Sequence, residues 1–167
     1  MADARTEEST RSRSRRHWLR QQAMEGATFG GLLRSRCEAE GPTTLTVGTW
    51  KFSGQLLQAG TDIVTLETDA GMLWVSVSAI EVAEAPGKAG AAGDSRPLAE
   101  GTTWMALLTG LQEERHPVEL LAGDDWLLGR IAGVGVDVVS IATANRTSYV
   151  RFSGIVALRL PQPWGSG

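Results

Sequence analysis

"GQLLQAGTDIVTLET" (residues 54–68) and "GRIAGVGVDVVSIAT" (residues 129–143) are two versions of one phrase. Gly54 matches Gly129, Gly60 matches Gly135 and Asp62 matches Asp137, all at an offset of 75 residues. Held without gaps over residues 22–83 and 97–158, that offset gives 17 identities in 62 positions. Average residue usage would give roughly four. The matches fall on residues that shape a backbone or fill a core: Gly26/Gly101, Leu32/Leu107, Leu33/Leu108, Pro42/Pro117, Leu45/Leu120, Gly48/Gly123, Val75/Val150 and Ile80/Ile155. A spacing of this kind predicts an internal duplication.

Each unit opens on a helical pattern. Phe29, Leu32 and Leu33 share one face in the first, and Gly41-Pro42 is expected to end it. Trp104, Leu107, Leu108 and Leu111 repeat the face in the second, with a stop expected at His116-Pro117, because the residue before proline is pushed out of the α region. Five short strands are expected in each unit. The first set falls near 43–47, 50–58, 61–68, 72–78 and 79–83, the second near 118–122, 125–133, 136–143, 147–153 and 154–160. Short strands with frequent turns suit a small barrel better than a sandwich. The repeated phrase reads as a turn, with Gly60 and Gly135 at positive φ and the carboxylates of Asp62 and Asp137 accepting turn N–H groups.

The domain plan follows. Residues 1–10 are expected to be a disordered polar and basic arm, and 11–83 the first helix-plus-barrel unit, its helix extended back to Ser12 or Ser14. Residues 84–96, "EAPGKAGAAGDSR", read as a flexible linker, 97–160 as the second unit and 161–167 as an irregular tail. The fold class is mainly β with helices, as two tandem small barrels.

A helix followed by a bent five-stranded barrel resembles the Sm/LSm/Hfq-like branch of the SH3-like barrels. The likeness is carried by "LTVG" and "LLAG" before a second-strand glycine, and by "SYVRFSGIVAL", which is similar to that family's fourth strand, corner and fifth strand. It implies RNA binding. Asp62 and Asp137 stand where the family carries a base-contacting asparagine, and its basic-then-glycine corner survives as Arg151 with Gly154. In the first unit those corner positions are Ser76 and Ala79. The whole chain also resembles two-repeat proteins of actinobacteria, a likeness that implies no mechanism.

Charge is unevenly spread. The first 20 residues carry Arg5, Arg11, Arg13, Arg15, Arg16 and Arg20 against three acids, a net +3, while the remainder carries −6. The arm, not the body, is therefore the part suited to a polyanion such as RNA or DNA. Arg11, Arg13, Arg15, Arg16 and Arg20 are its candidate contacts, with Trp18 as a stacking group and Ser12 and Ser14 as serines whose phosphorylation would reverse the local charge. Trp74 and Tyr149 fall on the outer face of the fourth strands, where a helix or the sister barrel is expected to cover them; left uncovered, they and Arg151 are candidate contacts for bases or a partner.

Other chemistry finds little footing. Cys37, the one cysteine, cannot form an internal disulfide and reads as a small helix residue. His17 and His116 lack ligand spacing, and Glu113-Glu114 and Asp124-Asp125 read as solvated charges. The expectation is a cytoplasmic, non-enzymatic binding protein with no cofactor, no metal and no membrane span. Its role is RNA- or DNA-linked, or alternatively that of a protein–protein scaffold or assembly factor using barrel edges and aromatic faces, and the barrel edges also offer a route to a homo-oligomer.

Overall fold

The computed structural model describes residues 7–16, 18, 28–39, 41–87 and 101–162. Residues 7–16 are helical and are labelled α1, and residue 18 is helical as well. Helices α2 (Phe29–Glu38) and α3 (Trp104–Glu114) each precede five strands. After α2 come β1 (Thr43–Val47), β2 (Trp50–Ala59), β3 (Ile63–Thr68), β4 (Gly71–Ser76) and β5 (Val82–Glu84). After α3 come β6 (Pro117–Ala122), β7 (Asp125–Val134), β8 (Val138–Ala142), β9 (Thr147–Arg151) and β10 (Ile155–Arg159). The ten strands form one open antiparallel sheet in the order β5-β1-β2-β3-β4-β10-β6-β7-β8-β9. The protein is mainly β with helices.

Both inner helices start on a threonine cap. The Thr28 hydroxyl accepts from Gly31 N–H at 3.0 Å, and the Thr103 hydroxyl from Ala106 N–H at 3.2 Å, satisfying donors that have no intrahelical partner. Thr28 is extended, so α2 begins afresh and does not continue a helix from residue 12 or 14. α1 also starts earlier than expected, taking residues 7–10 out of the irregular arm. Arg115 closes α3 in the left-handed region at φ 57, which leaves Pro117 free to open β6.

Bends in the long strands recur at the 75-residue spacing. β2 and β7 each carry a bulge, between Leu56 and Gln58 against β3 and between Ile131 and Gly133 against β8. A bulge inserts a residue and tightens the local twist. On the same strands a Cβ at Gly54 would stand 2.1 Å from the Glu67 carbonyl oxygen, and one at Gly129 2.5 Å from that of Ala142. Only glycine admits the neighbouring strand so closely.

The phrase that opens the reading is a turn, built otherwise than expected. Gly60 and Gly135 do not have positive φ; hairpin glycines that do are Gly48, Gly71 and Gly123, at 59°, 113° and 64°. Gly60 is needed because a Cβ there would meet the Gly101 Cα at 3.0 Å, and Gly135 because one would meet the Val138 Cγ1 at 2.9 Å. Asp62 and Asp137 act through their backbone carbonyls, which accept from Val77 N–H at 2.9 Å and Phe152 N–H at 2.8 Å. Those bonds pull the chain out of the ladder, so β4 and β9 end early in the one-turn 3₁₀ corners Val77–Ala79 and Phe152–Gly154. The third strands accordingly begin at Ile63 and Val138, two residues later than the pattern suggested.

Two apolar clusters fill the interior, and they exchange residues. The cluster around Leu33, Leu45, Leu56, Leu66 and Val75 takes in Leu121 and Ala157, while the cluster around Leu108, Leu120, Val139 and Ile141 takes in Ile63. Each fully buried leucine contributes roughly 2 kcal/mol by removal from water. Neither cluster is complete without residues from the other half of the chain.

Candidate interaction site

The β4–β10 pair joins the two halves, with Val75 opposite Ala157, Trp74 opposite Leu158 and Leu73 opposite Arg159. A buried polar relay ties it down. The Ser76 hydroxyl donates to the Ile155 carbonyl at 2.5 Å and accepts from the Trp104 indole N–H at 2.9 Å. Both indole and hydroxyl are buried, at 6% and 4% exposure, so each is the other's substitute for water. Beside it Trp126 packs edge-on to Trp50 and Phe52, with ring centroids 5.9 and 6.4 Å away. The Arg159 guanidinium lies 4.0 Å over the Trp126 ring and pairs with Glu119, a cation–π and ion-pair seal on the joint.

At the two ends of the sheet the same strand types lie open. Among the described residues β5 and β9 each pair on one side only. On β9 Tyr149 is 76% exposed, whereas Trp74, at the matching place on β4, packs against the second core. On β5 Val82 is 43% exposed, whereas its match on β10, Ala157, is fully buried. An open strand presents unpaired backbone N–H and C=O groups and is a template for another strand.

The sequence-derived candidates separate into four groups. Arg11, Arg13, Arg15 and Arg16 are all exposed on α1, and Trp18 is exposed as well; Arg20 and His17 lie outside the described residues. Tyr149 and Arg151 stand together on the open strand β9, exposed. Trp74 belongs to the internal joint and is not available as a stacking platform. Gly60, Asp62, Gly135 and Asp137 hold turns, as described. Glu81 and Val82 on the β5 side, and the Ser76–Trp104 relay, were not singled out by sequence. Their only sequence signal is a change of residue type between matched positions, Ser76 against Arg151 and Trp104 against Phe29.

The remaining reactive groups behave as packing or surface. The Cys37 thiol donates to the Leu33 carbonyl at 3.4 Å, and burial, then the nearby Glu38 charge, push its pKa up, which holds it in the unreactive thiol form. His116 faces Glu114 at 3.3 Å on the surface. Among the described residues no three His, Cys, Asp or Glu side chains are grouped as metal ligands would be. None of the helices among those residues is long and apolar enough to cross a membrane. An open apolar groove of about 1040 Å³ runs beside Met72, Leu128 and Leu160 with Arg130 at its rim, and a smaller cleft of about 470 Å³ lies at the start of α3 near Thr61 and Ser153.

No protein-family model matches the chain, and no curated protein is significantly similar to it.

Proposed function

We propose that the chain is a non-catalytic assembly module, acting in the cytoplasm, that holds partners by strand addition at its two open edges, β5 and β9. In this reading a duplicated Sm-like small barrel, helix plus five strands, forms each half. The one observation that carries it is the contrast between the closed joint and the open ends. Among the described residues the same kind of strand edge is sealed once, by β4 and β10, and left without a second strand twice, with Tyr149 and Val82 exposed. Strand addition gives affinity through main-chain hydrogen bonds and specificity through alternate side chains. A photocrosslinking residue at position 149 or 82, introduced in living cells and read by mass spectrometry, tests it. Cross-links into an extended segment of another chain are expected at both positions. Intramolecular products alone would overturn the reading.

A second reading is favoured by one specific observation: α1 presents four exposed arginines, Arg11, Arg13, Arg15 and Arg16, on a chain otherwise acidic. On this reading the arm engages RNA or DNA by neutralising phosphates. Affinity should fall steeply with salt and disappear on deletion of residues 1–20. Absence of binding at low salt would dispose of it.

A further inference from the structure

We infer that the open apolar groove of about 1040 Å³ is a binding site for a free aliphatic carboxylate, with the chain of the ligand along the groove and its anionic head on Arg130. The site is separate from the open edges and does not depend on strand addition.

Both halves of the chain build the groove. Met72, on β4, lines it from the first half. Leu128 and Arg130, alternate residues of β7 and so on one face, line it from the second. Leu160 to Gln162 continue the lining past the end of β10, and the Gln162 amide donates to the Ala70 carbonyl, tying that stretch to the turn between β3 and β4. Leu128 is 57% exposed here, and exposed apolar surface of this kind marks a ligand groove.

The duplication supplies a comparison within the molecule. Arg130 stands opposite Ala142 in the β7–β8 ladder, and the matching places in the β2–β3 ladder hold Gln55 and Glu67. A glutamate at position 142 would face Arg130 and pair with it. Alanine leaves the guanidinium without an ion pair among the described residues. Leu128 stands where the first half has Ser53, Ala144 where it has Asp69, and His116 where it has Gly41. Each of these five differences gives the second half more apolar surface, one more base or one acid fewer. The lining therefore holds Arg130 and His116 and no acid, in a chain of net charge −3. Glu114 engages His116 at 3.3 Å, which leaves Arg130 to receive an anion.

The chemistry of the walls narrows the occupant. The volume lies at the upper end of small-molecule sites, roughly 300–1,000 Å³. The lining has no Phe, Tyr or Trp on which a base would stack. Strands β4, β7 and β10 are each paired on both sides, so a peptide finds no free backbone edge in the groove. A single available guanidinium suits one carboxylate, which it meets with two parallel N–H···O bonds, and the aliphatic walls suit a flexible hydrocarbon chain.

Calorimetric titration of the full chain with decanoate tests the site. Acetate serves as the head without the chain, and decyltrimethylammonium as the chain with the opposite charge. Decanoate should bind once per chain with a Kd of roughly 0.1 mM or tighter, acetate not measurably, and the cation at least roughly tenfold more weakly than decanoate. Arg130→Gln and Ala142→Glu install the first half's residues, the former at an exposed position. Each should weaken decanoate binding roughly tenfold with little change in melting temperature; should Ala142→Glu fail to fold, Arg130→Gln decides alone. A wild-type chain that ignores decanoate, a Kd unmoved by Arg130→Gln, or a cation held as tightly as the carboxylate overturns the inference. Capture by vesicles of anionic phospholipid without binding of free decanoate overturns it as well.

Discussion

Replacing Ser76 by alanine tests whether the joint is held by its buried relay. The hydroxyl serves two groups at once, donating to the Ile155 carbonyl at 2.5 Å and accepting from the Trp104 indole at 2.9 Å. Ser76→Ala removes both partners in one step and leaves an indole N–H and a carbonyl unpaired where water does not reach. An orphaned buried polar group costs about 1–3 kcal/mol, so the loss should be about 2–4 kcal/mol for the pair. In a chain of this size that lowers the melting temperature by roughly 5–15 °C. Urea unfolding followed by circular dichroism measures it. Ser78→Ala, exposed one turn away in the corner, serves as the control and should stay within about 0.5 kcal/mol of wild type. In combination with Trp104→Phe, which deletes the indole donor, the double variant should be about 1 kcal/mol less unstable than the two losses added together. A Ser76→Ala chain as stable as the control would show that the relay contributes nothing, and with it the claim that the halves are locked by more than apolar contact.

Three further outcomes follow from single positions. Gly110→Ala lies in α3 with nothing within 4 Å of the added methyl, and should stabilise by about 0.5–1 kcal/mol in the same urea assay. Gly54→Ala places a methyl 2.1 Å from the Glu67 carbonyl; β2 and β3 must separate, and a loss of about 2 kcal/mol or more is expected, with a lowered protein yield. Cys37 should react slowly with iodoacetamide in the folded protein at neutral pH and quickly once unfolded, because burial raises its pKa. The sign follows for stability: the contribution of the neutral thiol is intact below the unfolded pKa and declines as pH rises through the folded one.

Local structure was legible where a residue's reason lies within a few positions of itself. The apolar faces of Leu32-Leu33 and Leu107-Leu108 lie on helices as the spacing predicts, and the strands from Thr43 and Pro117 onward lie close to where the alternation put them. Errors arose where the reason lies far along the chain. Gly60 looked like a positive-φ turn residue, but its constraint is the Gly101 backbone, 41 residues away in sequence and 3.0 Å from its would-be Cβ. Trp74 and Tyr149 are interchangeable in a period-two pattern, yet one is half-covered at the β10 joint and the other is exposed, because among the described residues β4 has a second partner strand and β9 does not. No periodicity records which edge is taken. The relay is missed for a related reason: Ser76 reads only as a corner position and Trp104 only as part of the repeated helix face, and their matches Arg151 and Phe29 hold no pair that would show the two meeting.

Salt separates assembly from polyanion binding, because the two draw on charge at different ranges. The chain carries a net −3, so whole copies repel weakly through solvent, and that repulsion is screened first, once the Debye length falls to about 10 Å near 0.1 M. Strand addition at β5 or β9 draws on main-chain hydrogen bonds that act at a few ångström, inside that length, and yields only at higher salt. Any pairing of copies through those edges should therefore strengthen as salt is raised from very low values, pass through a maximum, and weaken beyond it. Binding of RNA or DNA by α1 has no such maximum, since each phosphate contact releases counterions and affinity falls continuously with salt. Sedimentation of the chain alone and with a single-stranded oligonucleotide, across one salt series, reads both curves. Self-association that falls from the lowest salt onward would mean that copies meet through the basic arm and the acidic body, and the matched edges would then have no part in it.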